Sequence, residues 1–465
     1  PKVWYMLSDE MIQELTEIVG NANASTDEAI LYVYGFDVSD VQGKPDLVVR
    51  PSNTNEIADI VKVCSREKIP VIPRGASSGA TGGSVAITGG VVIDISRMNQ
   101  IIELDLKNIQ VHVQAGVVVE KLNDYLEGHN FYFPVIPGSA AMATLGGVVA
   151  NDASGMRAFK YGTAKDYVLG ATIVLPDGRV MKLGGKSLKN VAGYDLLRLF
   201  SGSEGTLGII SELRLRLMPI PSKKGVLVSY FDDLEIAGKA VIQTYQAGVI
   251  PSAVEILDKS ALEAIRIYMP EAEIHLSEAM LLFEVDGDET SVKYQLEQIN
   301  DVLDSLGVQN KDFSLDTEKN EILWAARSSV GAATSVLKEE YNRVYEGEDI
   351  CVPLDQIPKT LLKLRELRDK YDLGCVIFGH ISIGSLHPAI TIRKGQEEDW
   401  KVMKQLAHEI HKWAIYVGGT VTGEHGIGVA RKEYMKQQNE LAYEVMKKIK
   451  DALDPDNIMN PGKIF

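Results

Sequence analysis

Cysteine is scarce in this chain of 465 residues. Cys64, Cys351 and Cys375 lie far apart, with no C-x-x-C pair. That excludes a disulfide framework, a four-cysteine zinc site and an iron–sulfur cluster carried by this chain alone. Basic charge is in deficit: Lys+Arg is 48 against 64 for Asp+Glu, a net charge of −16, and no dense Lys/Arg block occurs. A nucleic-acid binder usually shows the opposite balance. No uninterrupted apolar run reaches the ~18 residues that a membrane helix needs. Asp9 and Glu10 fall where a secretory signal would be apolar. The expected address is the cytosol. Nucleotide signatures are missing too. No G-x-G-x-x-G joins a strand to a helix, and the GGKS at 184–187 ends like a P-loop whose required first glycine is instead Val180. His408, Glu409 and His411 imitate a zincin helix with the wrong spacing, so they read as a polar helix face.

Glycine is what the chain has. There are 41, clustered at 75–90, 138–155, 184–208 and 418–428, and the clusters alternate with apolar strands. Such a pattern suits a scaffold that brings backbone close to a ligand at several points. The hydrophobic share of 45% and charged share of 24% are those of a soluble globular protein. Asn53 opens a helix that ends near Lys68, with Glu56 as capping partner. Strands are expected at 89–96 and 109–116, a helix at 117–128, and a hairpin over 171–183 turned at Pro176-Asp177-Gly178. After Pro221 the glycines thin out. Strands at 226–231, 253–257, 279–285 and 374–379 alternate with helices at 233–246, 288–305 and 354–371, which reads as a second α+β domain. Glycine returns near Gly418, followed by a helix over 431–452. The expected division is 1–220 for a first domain, 221–417 for a second, and 418–465 as a return to the first.

Three loops stand out. PRGASSGATGG (73–83) follows a strand and offers successive backbone N–H groups as a nest for phosphate. PGSAAMATLGGVVANDASG (137–155) carries small side chains that let backbone approach a flat ring. GSEGTLGII (202–210) leads into a strand. Together with GGVVIDISRMN and the closing NPGKIF, these loops resemble the FAD-linked oxidases of the vanillyl-alcohol oxidase superfamily, in the branch of D-lactate dehydrogenase and the glycolate oxidase large subunit. The resemblance runs in order along essentially the whole chain. It implies an α+β fold: a FAD-binding domain of two α+β subdomains and an α+β cap domain with an antiparallel sheet. It also implies a cofactor site. Arg74, Gly75, Ala76, Ser77, Ser78, Gly79, Gly82 and Gly83 would cradle the pyrophosphate. Pro137, Gly138, Thr144, Gly146, Gly147, Ser154, Gly155, Glu204, Gly208, Ile210 and Asn460 would line the rest. Some relatives attach FAD through His or Cys. Neither occurs in 73–83, so dissociable, non-covalent FAD is expected.

His380 and His387 lie seven apart in GHISIGSLH, where Gly384 and Ser385 permit a bend that aims both at one ion. Glu424 and His425 sit together in GEHGIG. Two imidazoles and a carboxylate form a common ligand set for Zn²⁺, Mn²⁺ or Fe²⁺. The resemblance assigns His380, His387 and Glu424 as ligands of a divalent metal, His425 as catalytic base and Arg327 as the substrate's carboxylate anchor. The chain departs from the family pattern at Ser382, Ile383, Gly384 and Ser385, where relatives read Gly-Asp-Gly-Asn. A lysine of relatives with dicarboxylate substrates falls near Gly347 here, which favours a monocarboxylate. The implied activity is oxidation of a D-2-hydroxy acid, D-lactate first and glycolate second, with electrons leaving to electron-transfer flavoprotein or an iron–sulfur subunit. Two other classes stay open: a related flavin enzyme acting on ether lipids or aromatic alcohols, and a flavin subunit that only relays electrons.

Overall fold

The computed structural model describes residues 7–336, 340–371 and 373–465. The chain forms two compact units. Among the described residues, one comprises 7–154, 163–220 and 424–465; the other comprises 155–162, 221–336, 340–371 and 373–423.

In the first unit, Asn53 caps the helix Thr54–Glu67 by accepting the N–H groups of Asn55 and Glu56, and Lys68 ends it in a left-handed conformation. The apolar face of this helix, with Ile57, Ile60, Val61 and Cys64, is buried. Among the described residues the unit holds a four-stranded sheet, ordered Ala24–Ser25, Leu47–Val49, Val91–Asp94, Val71–Arg74, whose last three strands run parallel. A five-stranded antiparallel sheet follows, ordered Ile101–Asp105, Gln110–Gln114, Ile209–Arg216, Val168–Val174, Val180–Gly184. Its central strand alternates as the sequence suggests: Leu213 and Leu215 are fully buried while Glu212, Arg214 and Arg216 are not. These are the two α+β subdomains. The end of the chain closes the first sheet. Val71 donates to the carbonyl of Ile458 and accepts from Asn460, while buried Lys450 pairs with Asp454 and donates to the carbonyls of Thr206 and Met459. The expected helix over 431–452 is two helices, Lys432–Gln438 and Glu440–Leu453. Asn439 breaks it by capping the second helix through Ala442 N–H.

The second unit is built on an antiparallel sheet, eight-stranded among the described residues. The order is Lys311–Ser314, Lys223–Phe231, Ala279–Gly287, Ala253–Asp258, Gly374–Gly379, Ser385–Arg393, Tyr341–Val344, with Ile350–Cys351 paired to Ser385–Arg393. Successive side chains on a strand point to opposite faces. One face carries Leu227, Ile256, Leu281, Phe283, Ile377 and Ile390 into a core with helices Leu234–Gln246, Glu289–Ser305, Ile357–Tyr371 and Glu397–Tyr416. His411 lies in that last helix and is 1% exposed, so it belongs to the core side and not to a polar face. The other face carries Val226, Leu257, Met280, Leu282, Phe378 and Ala389. It is covered by Lys259–Tyr268, Thr317–Ser328 and Val330–Val336. The candidate site grows out of this second face.

Candidate functional site

Strand Gly374–Gly379 does not run straight into Ser385–Arg393. A short turn, Ile381–Ile383, reverses it, and Gly384 closes the turn at φ +74°. A side chain there would meet the carbonyl oxygen of Val352 at 2.0 Å, so glycine is required twice over. The reversal defeats the odd spacing of the two histidines. Their ring centroids are 5.1 Å apart, and their nitrogens come within 4.8 Å of each other. Both are buried, at 8% and 3% exposure.

Register supplies the neighbours. Leu257 pairs with Phe378, and Phe378 with His387, so Glu255 projects from the same face. Glu255 is fully buried. Its Oε1 lies 2.8 Å from Nδ1 of His380, and its Oε2 accepts Nε of Arg327 at 2.7 Å. Arg327 comes from the last turn of Thr317–Ser328, and its guanidinium also lies 5.0 Å from the centroid of the Phe378 ring. One carboxylate therefore fixes both an imidazole and the expected substrate anchor. Such outer partners set ring orientation and raise ligand basicity in metal sites. Glu255 was not among the residues singled out in the sequence; its surroundings, AVEILD, read only as a strand.

Arg343 is a second cation that the sequence did not reveal. It lies 5.5 Å from the same Phe378 ring, and Glu348 takes its Nε and Nη2. It packs against Gly331, where any side chain would collide with Nη1. It is a second guanidinium beside that ring, held by a buried carboxylate. Gly347 itself packs against Ala407 and Ile390.

Residues 155–162 also belong to this unit, beginning with Gly155. Arg157 forms a two-pronged pair with buried Glu284 at 2.8 and 2.9 Å, Phe159 stacks on Tyr245, and Tyr161 donates to Asp286. Tyr245 in turn donates to the carbonyl of Ser382, beside His380.

In the first unit, the glycine loops border a cavity of about 580 Å³ lined by Gly75, Ala76, Gly116, Lys121, Met142 and Thr144, among others. Thr144 is 5% exposed and its hydroxyl has no hydrogen-bond partner in the protein. Nothing stands within 4 Å of where a side chain at Gly138 would start. Asn460 donates to the carbonyls of Gly83 and Glu204, leaving its own buried carbonyl oxygen unmatched. A cavity edged by glycine and by the unmatched buried hydroxyl of Thr144 fits a cofactor rich in donors and acceptors. Other expected cofactor residues face protein. Arg74 stacks over Tyr34 and donates to the carbonyls of Tyr34 and Phe36. Ser77, held at φ +57°, bonds Phe36 and Ser84. Gly82 packs on Val41, Gly146 on Ala115, and Gly208 on Ile173 and Phe200; Ile210 is a buried strand residue paired with Ile173.

Glu204 is a fuller surprise. Its two oxygens accept the N–H groups of Ile427 and Gly428, each at 2.7 Å. Burial pushes its pKa up, against the downward pull of those donors. Its carboxylate shapes the loop that carries Glu424 and His425. Ser154, also expected at the cofactor, donates to Glu424 at 3.0 Å. Nε2 of His425 lies 3.8 Å from Glu424.

Residues 45–184 match the family model described as "FAD binding domain", and residues 220–464 match "FAD linked oxidases, C-terminal domain". The chain belongs to the FAD-linked oxidases of the vanillyl-alcohol oxidase superfamily, in the branch of glycolate oxidase subunits and D-lactate dehydrogenases. It is 35% identical to glycolate oxidase subunit GlcD of Bacillus subtilis (strain 168), over 99% of this chain and 97% of that one. It is 34% identical to D-lactate dehydrogenase of Anaerostipes hadrus, over 98% of each. The fold is shared with p-cresol methylhydroxylase solved with substrate bound, at a TM-score of 0.80 and 18% identity, covering 98% of this chain and 96% of that one. The chain is thus a member of a FAD-dependent oxidoreductase family. Among the described residues no helix is long and apolar enough to cross a membrane.

Proposed function

We propose that this protein is a FAD- and metal-dependent dehydrogenase of D-2-hydroxy acids, with D-lactate preferred and glycolate second. The observation that carries the reading is Glu255, which couples a buried imidazole of a histidine pair to a buried arginine. When bound, FAD accepts the hydride from Cα of the substrate, and a divalent metal lowers the pKa of the substrate hydroxyl. His380, His387 and Glu424 would hold that metal. Gly423, which precedes Glu424 in the chain, donates its N–H to Asp349. Arg327, fixed along one edge by Glu255, turns its remaining N–H groups to the substrate carboxylate. That orients Cα for transfer. His425 takes the hydroxyl proton at a ring nitrogen as general base. Arg343, already matched by Glu348, offers no uncompensated charge to a second carboxylate, which favours a monocarboxylate.

FAD is held without a covalent link, within a domain spanning 1–220 and the return at 418–465; residues 221–417 form the substrate domain. The protein works in the cytosol. Electrons leave through a protein partner, with electron-transfer flavoprotein preferred over an iron–sulfur subunit, since the three scattered cysteines build no cluster here. The test is anaerobic mixing of the flavin-loaded enzyme with D-lactate, L-lactate and glycolate. Reoxidation by air, NAD and electron-transfer flavoprotein follows. Bleaching by D-lactate and fast reoxidation by the flavoprotein alone are expected. No bleaching by any 2-hydroxy acid contradicts the substrate class, and fast turnover with O₂ overturns the partner.

A further inference from the structure

Asp349 lies between the strands Tyr341–Val344 and Ile350–Cys351 and is fully buried. Its φ is +85°, the largest positive value of any non-glycine residue among those described. An L side chain rarely holds that conformation without a reason. The reason is in its contacts. Oδ1 accepts the N–H of Gly423 at 2.9 Å and lies 4.0 Å from Nδ1 of His387. Oδ2 accepts the hydroxyl of Thr422 at 2.6 Å. Two residues on, Cys351 exchanges backbone hydrogen bonds with Thr420, at 3.2 and 2.7 Å. The same short strand pairs Ile350 with Leu386 and Cys351 with Ser385, next to His387. Asp349 thus stands where the strand bearing His387 meets residues 420–423, the segment that runs into Glu424.

We propose that Asp349 is a positioning residue for the metal. Its carboxylate lies 4.0 Å from Nδ1 of His387, beyond direct hydrogen-bond reach, whereas that of Glu255 is 2.8 Å from Nδ1 of His380. Each imidazole of the pair thus has a buried carboxylate on its Nδ1 side. It also fixes Gly423, and through the next peptide bond the start of Glu424. This inference rests on the metal-dependent reading above and adds a residue which that reading does not need.

The experiment measures Mn²⁺ affinity of the flavin-loaded enzyme by the electron paramagnetic resonance signal of free Mn²⁺, together with the melting temperature of the metal-stripped protein. Asp349→Gly removes the carboxylate and suits the backbone angle. Asp349→Asn keeps the shape and one acceptor. Each variant is expected to weaken Mn²⁺ binding about 10- to 100-fold, the usual cost of losing an outer partner of a metal ligand. The glycine variant should be the weaker binder. Its metal-free melting temperature should also fall, because the Thr422 hydroxyl and the Gly423 N–H lose this acceptor. Asp349→Asn, which keeps one acceptor, should stay closer to wild type in melting temperature yet still bind Mn²⁺ more weakly. Wild-type affinity in Asp349→Gly overturns the proposal. Should that variant fail to fold, wild-type affinity in Asp349→Asn overturns it equally. A wild-type enzyme that binds no Mn²⁺, Zn²⁺ or Fe²⁺ removes the metal reading itself, a distinct outcome.

Discussion

Replacing Glu255 by glutamine tests the link between the imidazole pair and the arginine. Glu255 is fully buried, and its Oε2 is shared by Nε and Nη2 of Arg327 at 2.7 and 2.5 Å while Oε1 serves His380. The amide keeps the shape and loses the charge. It also has one acceptor where two partners need one each, so either Arg327 or His380 is left facing an N–H₂ group. Breaking a buried ion pair by removing one partner costs about 3–5 kcal/mol. In a unit of this size each kcal/mol is about 2–4 °C of melting temperature. The expected loss is therefore roughly 6–20 °C by calorimetry. Function should fall on both sides of the carboxylate: metal content down about 10-fold or more, and KM for D-lactate up as Arg327 loses its fixed orientation. Combining Glu255→Gln with Arg327→Met should destabilise by less than the sum of the single changes, by about 0.5–3 kcal/mol, because the two residues share one interaction. A Glu255→Gln enzyme with unchanged melting temperature, metal content and KM refutes the reasoning.

Glu204→Ala leaves two buried N–H groups unmatched at Ile427 and Gly428, at about 1–3 kcal/mol each. It should lower both melting temperature and kcat, with flavin content the check on whether the loop or the cofactor is affected. His425→Ala should lower kcat by about 10²–10⁴, the range for losing a general base, while metal content by elemental analysis is retained. Lys463 is buried, donates to the carbonyl of Val85, and burial holds its pKa down to about 8 from 10.5. Between those values the unfolded chain binds a proton that the folded protein does not. Stability therefore rises with pH from about 8 to 10.5, by up to about 3 kcal/mol. Lys463→Met should flatten that rise in melting temperatures taken across the window.

Local pattern carried much of the architecture. Pro176-Asp177-Gly178 turns a hairpin, with Gly178 at φ +80°, because turn chemistry is written in neighbouring residues. Asn53 starts its helix by the same local logic. The bend that unites His380 and His387 was legible through Gly384. Glu255 was not, because its partners Arg327 and His380 are 72 and 125 residues away. Nothing in AVEILD distinguishes a buried carboxylate with two partners from an ordinary outward-facing one. Asp349 was hidden for the same reason: the partners of its carboxylate lie 73 and 74 positions downstream. Glu204 stood out by its motif, but its bond to a loop 223 residues further on was not legible in the local sequence.

The account's central claim is tested most directly by single-turnover bleaching of the flavin by D-lactate under anaerobic conditions, before and after metal removal. The account predicts rapid bleaching by D-lactate and not by L-lactate, loss of bleaching on chelation with FAD still bound, and recovery when Mn²⁺ or Zn²⁺ is returned. Full-speed bleaching in a verified metal-free enzyme would contradict it.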